Sequence, residues 1–462
     1  MMALITKRYE KRYHHVSSIC PLKRTTKYFQ MKYYSLNKNS PVVDFKEATI
    51  RGLAPDKGLY FPESLPHIDK NFFSQINEVP DEEIAFKVIQ PYVGNEIPED
   101  ELRRIVSETI NFEIPLKKIN ETISSLELFH GPTLAFKDVG ARFMSRCLGY
   151  FVKDNDKKVT VLVATSGDTG GAVANGFYNV DGVEVVILYP SGKVSNVQEK
   201  QLVTLGNNIH ALEINGTFDD CQQLVKQAFS NEHLNKELFL TSANSINVAR
   251  WLPQQFYYFF AWKQWPDKKN PPVICVPSGN FGNICAGLLA YFSGLPVRHF
   301  IAACNANKVV PEFLQTQNYA PQKAIATISN AMDVGDPSNF VRVLRLFNYQ
   351  FSDLKNVLSS YSISDEETRQ TIKEVYENEN YLLDPHGAVA YRALKNYLEQ
   401  HSGYKGIFLE TAHPVKFYDV VEPVIHQQIP VPESVKGILD KEKQSIKMNV
   451  NFEDLKEYLL KK

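Results

Sequence analysis

Residues 159–172, with the sequence VTVLVATSGDTGGA, show the pattern that decides the fold. A short run of apolar and β-branched residues leads through a glycine-rich turn into an expected helix. Further short apolar runs, with helices expected between them, lie at 184–189, 209–214, 238–241, 273–277, 300–304 and 406–410. Apolar strands that alternate with helices are typical of parallel sheets covered on both faces, so we expect a doubly wound α/β fold.

The composition narrows the class of protein. The chain has 462 residues, of which 44% are hydrophobic and 22% charged, so it can bury a sizeable core. A net charge of −1 gives no reason to expect a nucleic-acid partner. The six cysteines form no C-x-x-C pair and no His/Cys cluster. We therefore expect no metal site and a reducing, cytoplasmic location, and the lack of a long apolar run predicts no membrane segment.

The first thirty residues differ from the remainder. Their basic residues are Lys7, Arg8, Lys11, Arg12, Lys23, Arg24 and Lys27, and Glu10 is the only acid. They lack the continuous apolar core of a secretory signal. Two interpretations stay open: a transit segment, or upstream sequence read through a wrong start with Met31 as the initiator, which we favour. Either way, we expect residues 1–30 to be poorly ordered.

The nonapeptide HGPTLAFKD, residues 130–138, places Lys137 beside Phe136 and behind a Gly-Pro turn. Poor solvation disfavours the charged form of a lysine and frees its amine to act as a nucleophile or base. Lysines that form Schiff bases need such a setting. The alternative is a buried turn whose lysine reaches out to solvent.

Three further motifs predict ligand-binding groups at strand ends. The turn 165–171 and the turn 277–283 each join a strand to a helix, where glycines and free N–H groups can hold an anion. Thr411 follows the apolar run 406–410, and its hydroxyl could hydrogen-bond an unprotonated ring nitrogen. The alternatives are glycine-tolerant turns and a helix N-cap. Neither turn matches a P-loop or a clean G-x-G-x-x-G, so nucleotide sites are weakly supported.

Taken together, the motifs supply the groups that pyridoxal phosphate requires. Lys137 offers the amine, the turn 277–283 a backbone cup for the phosphate, and Thr411 a hydroxyl for the ring. The turn 165–171 remains for the carboxylate or phosphate of an amino-acid substrate.

These motifs resemble those of the threonine synthase family, in the longer branch found in many bacteria and fungi. Further matching segments are 51–56 with 58–60, 244–247 with Arg250, and 332–340, so the resemblance runs from about Met31 to the C-terminus. It implies pyridoxal-phosphate fold type II, with doubly wound, mostly parallel sheets in two domains and a small N-terminal domain. It also implies the conversion of O-phospho-L-homoserine and water to L-threonine and phosphate.

The resemblance also assigns roles to individual residues. Lys137 would be the Schiff-base lysine, and Thr411 would face the pyridine nitrogen. The cofactor phosphate would be held by Gly279, Asn280, Phe281, Gly282 and Asn283. Residues beside the substrate would be Thr165, Ser166 and Asp168, with Asn247 and Arg250 as candidates for its phosphate or for closing the site. The alternative for Arg250 is a salt bridge. His386 is interpreted as the start of a helix and not as a catalyst. The family commonly has threonine at the next position, where this chain has Gly387.

The expected division of the chain is a disordered extension at 1–30, an N-terminal threonine-synthase domain at 31–115, a cofactor-dependent core of two α/β subdomains at 116–430 and a helical tail at 431–462. The partner is a small-molecule substrate, and the assembly is a monomer or homodimer. One alternative function is a phospho-lyase that releases 2-oxobutanoate, ammonia and phosphate. An inactive binding module is the alternative from another class.

Overall fold

Two sheets carry the fold in the computed structural model, which describes residues 23–25, 30–153 and 157–461. The predictions for residues 1–30 thus fall almost wholly outside the described residues. The strands are β1 Lys23–Thr25, β2 Tyr33–Ser35, β3 Tyr60–Pro62, β4 Ser64–Pro66, β5 Leu116–Lys118, β6 Ile123–Glu127, β7 Val159–Ala164, β8 Val183–Pro190, β9 Ile209–Ile214, β10 Phe239–Thr241, β11 Val273–Pro277, β12 His299–Cys304, β13 Leu358–Ser362, β14 Gly406–Glu410 and β15 Ser445–Met448.

Helices alternate with these strands. The α-helices are α1 Phe45–Arg51, α2 Lys70–Gln75, α3 Asp81–Val93, α4 Glu99–Thr109, α5 Lys137–Val152, α6 Asp168–Phe177, α7 Asn196–Val203, α8 Phe218–Ser230, α9 Glu232–Glu237, α10 Val248–Trp251, α11 Phe256–Gln264, α12 Gly282–Phe292, α13 Val309–Thr316, α14 Phe340–Leu346, α15 Phe351–Val357, α16 Asp365–Glu379, α17 Pro385–Gln400, α18 Tyr418–Ile425, α19 Glu433–Leu439 and α20 Phe452–Leu460. Short 3₁₀ turns lie at Ile76–Glu78, Leu252–Gln255, Asn330–Met332 and Pro414–Phe417.

The sheet topology confirms the predicted fold class. One sheet has five strands in the order β10-β7-β8-β9-β15, and every pair in it is parallel. The other has six strands in the order β13-β12-β11-β14-β6-β5, and only β5 runs antiparallel to its neighbour. The central strands are buried on both faces, as continuous apolar runs predict.

The helix expected between the apolar runs 238–241 and 273–277 is interrupted. Helix α10 ends at Trp251, a 3₁₀ turn covers Leu252–Gln255, and α11 begins at Phe256. Pro253 lies in this turn, and proline lacks the N–H that a continuous helix would need. The apolar pattern continues through the break because both helices are buried, which is why it suggested one helix.

The N-terminal elements pack directly against the core. Phe61 of β3 stacks on Trp251, with ring centroids 5.8 Å apart. Arg342 of α14 lies 4.4 Å from the same tryptophan ring and donates to the Tyr60 carbonyl at 2.9 Å. Residues of the N-terminal segment, among them Leu36, thus reach the centre of the molecule.

The segment 431–462, expected to be helical, also contains a strand. Helix α20 coincides with the predicted span, but β15 pairs with the edge of the five-stranded sheet, Ser445 opposite Ala211 through Met448 opposite Ile214. An edge strand has one exposed face and carries little apolar pattern, so its partner, and not its composition, determines its conformation. In the described part of the chain, no helix is both long and apolar enough to span a membrane.

We predict that Leu455→Ala lowers the stability of the fold. Leu455 of α20 is fully buried in an apolar cluster with Leu224 of α8. Replacing it leaves a cavity, which costs about 2–5 kcal/mol of unfolding free energy. Urea denaturation measures this loss. Leu460→Ala in the same helix is the control, because Leu460 is 38% exposed, and equal losses in both variants would contradict the packing described.

Candidate active site

A cavity of about 1680 Å³ lies at the carboxyl ends of strands from both sheets. Thr165 follows β7 of one sheet, while Ser278 and Thr411 follow β11 and β14 of the other, and all three line the cavity. Carboxyl ends of parallel strands are where open α/β sheets place their ligands. The topology therefore brings three motifs that lie far apart in the sequence to one place.

Lys137 is fixed beside Thr411 by backbone pairing. Ala135 forms an isolated antiparallel bridge with Ala412, and the Phe136 amide donates to the Thr411 carbonyl at 2.9 Å. Lys137 is the first residue of α5 and lines the cavity. Lys137, predicted to supply the Schiff-base amine, and Thr411, predicted to face the ring nitrogen, thus lie at one wall of the cavity.

The Lys137 side chain is 15% exposed, and its Nζ lies 3.6 Å from Asp168 Oδ2. Burial lowers the pKa of Lys137, and the positive charges of Lys416 and Arg250 lower it further. The carboxylate of Asp168 acts in the opposite direction. The net direction is downward, so the neutral amine is more accessible than in an ordinary lysine.

Asp168 is the centre of a buried charge cluster. Fully buried Lys416 donates from Nζ to Asp168 Oδ1 at 2.8 Å and to the Thr133 carbonyl at 2.8 Å. Gln198 Nε2 donates to the same carboxylate at 2.9 Å. Burial alone would raise the pKa of Asp168, but the charges of Lys416 and Lys137 outweigh it and hold the pKa well below its usual range. The carboxylate is therefore permanently charged.

Lys416 is a site residue that the sequence did not reveal. It lies within the motif 411–417, where it is the only charged side chain besides a histidine. That isolated charge in an apolar stretch was the available signal. Its partner lies some 250 positions away in the sequence, at Asp168, so no local pattern could have identified the pair.

The turn after β11 forms a cup of main-chain N–H groups. Phe281 adopts a left-handed conformation with φ of 60°, and α12 begins at Gly282. The amides of Gly279, Asn280 and Phe281 donate to no atom in the described ranges of the chain. A Cβ on Gly279 would lie 2.6 Å from Met332 Cα, so only glycine admits the turn that roofs the cup. Such a cup suits a phosphate.

Side chains of the cup have two different roles. Asn280 Nδ2 donates to Ser245 Oγ at 2.8 Å and Asn280 Oδ1 accepts from the Ser338 amide at 2.6 Å, so this side chain braces neighbouring loops. Asn283 Oδ1 accepts from Tyr258 at 2.8 Å. Asn283 Nδ2 is buried with no partner among the described residues, which leaves one donor for a ligand.

The residues predicted to lie beside the substrate also differ in their roles. Ser166 and Asp168 line the cavity. Thr165 also lines it, but its Oγ1 accepts from the amides of Gly167 and Gly170 at 3.0 and 2.8 Å. Thr165 therefore holds the shape of the turn, and only its hydroxyl proton remains for a ligand.

Asn247 does not line the cavity. Its Nδ2 donates to the Thr49 carbonyl at 2.8 Å, its Oδ1 caps α10 by accepting from Ala249 at 2.9 Å, and the side chain is fully buried. The geometry gives Asn247 a positioning role between α1 and α10, outside the cavity where a substrate contact was expected, and a role in closing the site stays a prediction.

Arg250 does line the cavity and is 3% exposed. No carboxylate lies within salt-bridge distance of it in the described part of the chain, so the salt-bridge alternative finds no support. Its Nη1 donates to the Ala243 carbonyl, and its Nε has no partner among described atoms. Burial lowers the pKa of Arg250 to about 10, which still leaves it positive at neutral pH. The cavity wall thus contains a buried cation that forms no salt bridge among the described residues, although the charge of Asp138 acts on it at longer range.

His386 also reaches the cavity, although the sequence favoured a helix start. It lies in the first turn of α17, its Nδ1 is 2.5 Å from Asp384 Oδ2, and its Nε2 accepts from the Ala331 amide at 3.2 Å. His386 thus lies at the start of a helix, as the sequence favoured, and also faces the cavity. Among the described residues, no group of His, Cys, Asp and Glu side chains could hold a metal ion.

Comparison with known proteins identifies this arrangement. Family models described as "Threonine synthase N terminus", "Pyridoxal-phosphate dependent enzyme" and "Threonine synthase, C-terminal" match residues 32–110, 117–408 and 387–459. A threonine synthase of Haemophilus influenzae is 46% identical over 436 residues, which cover 93% of this chain and 100% of that protein. The chain belongs to the threonine synthase family.

Solved structures of the threonine synthase family agree. The Escherichia coli threonine synthase structure matches with a TM-score of 0.87 and 43% identity, covering 93% of this chain and 100% of that one. The structure of threonine synthase from Brucella melitensis, described as bound to PLP, matches with a TM-score of 0.87 and 34% identity, covering 93% and 99%. This chain is accordingly a pyridoxal-phosphate-dependent enzyme of fold type II.

The residues present fit pyridoxal phosphate. The free amides of the cup and the unpartnered Asn283 Nδ2 match its phosphate, Thr411 lines the same cavity, and Lys137 supplies an amine of lowered pKa. These are the residues that would hold the cofactor.

We predict that Gly279→Ala weakens binding of pyridoxal phosphate by at least about tenfold, because a Cβ 2.6 Å from Met332 Cα forces the turn to shift and disrupts cup geometry worth about 1.4 kcal/mol. Spectroscopic titration of the cofactor-free protein measures the affinity. Gly437→Ala is the matched control, since a Cβ there meets nothing within 4 Å. Unchanged affinity in Gly279→Ala would refute the cup.

Proposed function

We propose that this threonine synthase converts O-phospho-L-homoserine and water to L-threonine and phosphate. Family membership supports the activity. The observation that carries the choice of substrate is Arg250, a buried cation that forms no salt bridge among the described residues and lines the same cavity as Lys137 and the phosphate cup. The cup already serves the cofactor phosphate. A buried cation elsewhere in the cavity therefore suits a substrate that carries an anionic group besides its carboxylate.

The charge at the cavity mouth supports the same substrate. Exposed Lys57, Lys226 and Lys323 line the cavity, against two exposed acids, Asp219 and Asp336. The small excess of positive charge raises the local concentration of a phosphorylated amino acid and speeds its encounter with the enzyme. The effect weakens as salt is added.

Lys137 performs the proton transfers in this proposal. When bound, pyridoxal phosphate supplies the electron sink that makes the Cα proton of the substrate acidic. Lys137 Nζ accepts that proton in its neutral form, which burial favours by lowering the pKa of this lysine. Once it has released that proton, which the bound cofactor would hold, the same amine can take a Cβ proton as phosphate leaves Cγ. One proton then goes to Cγ, which becomes the methyl carbon, water adds at Cβ, and another proton returns to Cα.

Asp168 stabilises the form of Lys137 that has accepted a proton. Its carboxylate lies 3.6 Å from Lys137 Nζ and is kept charged by Lys416. The ammonium that forms on Lys137 therefore meets a fixed negative charge, and no rearrangement is needed at that moment. Arg250 would balance the charge that develops on the departing phosphate.

The N-terminal segment contributes one wall of the site. Leu36, Asn37 and the turn 57–59 line the cavity together with residues of the core. We propose that residues 31–115 act as a domain that covers the substrate, above a core at 116–430 and a tail at 431–462. We also propose a cytoplasmic enzyme that works as a monomer or homodimer, which analytical ultracentrifugation would distinguish.

Product analysis tests the function. Purified enzyme with O-phospho-L-homoserine should give threonine and phosphate in equal amounts, with little 2-oxobutanoate. Lys137→Ala should lose almost all turnover, because it removes the base. Formation of 2-oxobutanoate and ammonia alone would instead identify a phospho-lyase, and absence of both products from cofactor-loaded protein would favour the binding module.

We predict that Arg250→Gln raises KM for O-phospho-L-homoserine by about ten- to a hundredfold, as expected for a lost charge-assisted hydrogen bond of about 1.5–3 kcal/mol. Steady-state kinetics measures it, with cofactor content checked by absorbance. Arg298→Gln, at an exposed arginine outside the cavity, is the control. A KM that stays at the wild-type value in Arg250→Gln would exclude this arginine from the substrate site.

A further inference from the structure

A group of buried acids next to the cofactor site takes no part in the chemistry described above. Glu410 and Asp384 are fully buried, and Glu127, on the strand beside Glu410, is 6% exposed. Glu410 immediately precedes Thr411, so it lies directly behind the wall where the cofactor ring is expected. A fully buried carboxyl group that is not part of the mechanism requires a structural reason.

Asp384 is held in the manner of a carboxylate. Its Oδ1 accepts from the Gly387 amide at 2.6 Å as the N-cap of α17, and its Oδ2 accepts from His386 Nδ1 at 2.5 Å. Both oxygens are therefore used as hydrogen-bond acceptors. The Asp384 amide, in turn, donates to Glu410 Oε1 at 2.6 Å.

The acidic groups around Glu410 oppose its charge, and the Asp384 amide is the contact that favours it. The titratable groups around it are Asp384, Glu127 and Tyr381, whose hydroxyl donates to Glu127 at 3.0 Å. Glu410 Oε2 has no hydrogen-bond partner in the described part of the chain. Burial, and after it the charge of Asp384, raises the pKa of Glu410 well above its usual range.

Gly387 is what makes room for this acid. A Cβ at position 387 would lie 1.4 Å from Glu410 Oε2 and 2.3 Å from its Cδ. No side chain other than hydrogen can therefore accompany Glu410 in this geometry. The two residues form a matched pair, although 23 positions separate them in the sequence.

The consequences of the pair extend to the roof of the phosphate cup. His386 Nε2 accepts from the Ala331 amide, and the backbone of Ala331 and Met332 packs on Gly279. Glu410 thus fixes Asp384, Asp384 orients His386, and His386 holds the turn 330–332 over the cup. We propose that Glu410 is a positioning residue for the cofactor site, kept as a neutral carboxylic acid in the space that Gly387 leaves.

The first test measures the proton on Glu410 without turnover. The unfolded chain releases this proton near the ordinary glutamate pKa of about 4.3, whereas the folded protein retains it. The folded state then binds more protons than the unfolded state, so this group lowers stability progressively as the pH rises above that value. Glu410→Gln has the same shape and never ionises. Its melting temperature should exceed that of wild type by a margin that widens from pH 5 to pH 9, and parallel curves would overturn the proposal.

The second test measures the positioning role through pyridoxal phosphate affinity. Gly387→Ala should weaken it by about tenfold or more, since displacing Glu410 leaves the Asp384 amide without its acceptor. The double variant, which combines Gly387→Ala with Glu410→Ala, restores the space. It should recover most of the affinity for pyridoxal phosphate that Gly387→Ala alone loses. Glu410→Gln should bind as wild type does. Wild-type affinity in Gly387→Ala, or no recovery in the double variant, would contradict the pairing.

Neither of these two measurements depends on turnover, so neither rests on the proposed function. If product analysis fails while the melting and affinity results hold, only the proposed reaction is wrong. If Gly387→Ala does not fold, the pH series on Glu410→Gln still decides the protonation state of Glu410. The affinity of Glu410→Ala for pyridoxal phosphate then tests the positioning role. We expect a loss of about tenfold, and an unchanged affinity would contradict the role.

Discussion

One buried carboxylate, that of Asp168, holds the two halves of this enzyme together at the point where the chemistry occurs. It begins a helix of the five-stranded half and pairs with Lys416, which follows the last strand of the six-stranded sheet. Removing two opposite charges from water is costly unless both are also hydrogen-bonded to other groups, and here Gln198 donates to Asp168 while Lys416 donates to the Thr133 carbonyl. The pair therefore fixes the relative position of two elements that contribute different parts of one site.

Lys137 depends on that arrangement. Its backbone is tied to Thr411 by a short antiparallel bridge, and its amine faces Asp168 from the other half. Burial favours the neutral amine, while the carboxylate stabilises the ammonium. A group that must both accept and return protons needs both influences, because either one alone would trap it in a single protonation state.

The sequence predicts much of this molecule wherever the signal is local. Strands such as 159–164 and 273–277 lie where apolar runs indicated them, and Lys137, the cup 279–283 and Thr411 share one cavity. Predictions failed where a distant partner decides the outcome. The strand 445–448 forms only against a sheet edge, and the side chain of Asn247 is saturated by backbone groups that no sequence pattern reveals.

The central claim is that Asp168 sets the protonation of Lys137. The rate at which cofactor-free protein takes up pyridoxal phosphate, followed by absorbance from pH 6 to pH 10, reports this directly, because only the neutral amine of Lys137 reacts. The carboxylate raises the Lys137 pKa above the value that burial alone would give, so Asp168→Asn should move the half-maximal rate to lower pH. A midpoint that stays in place, or that moves to higher pH, would contradict the account.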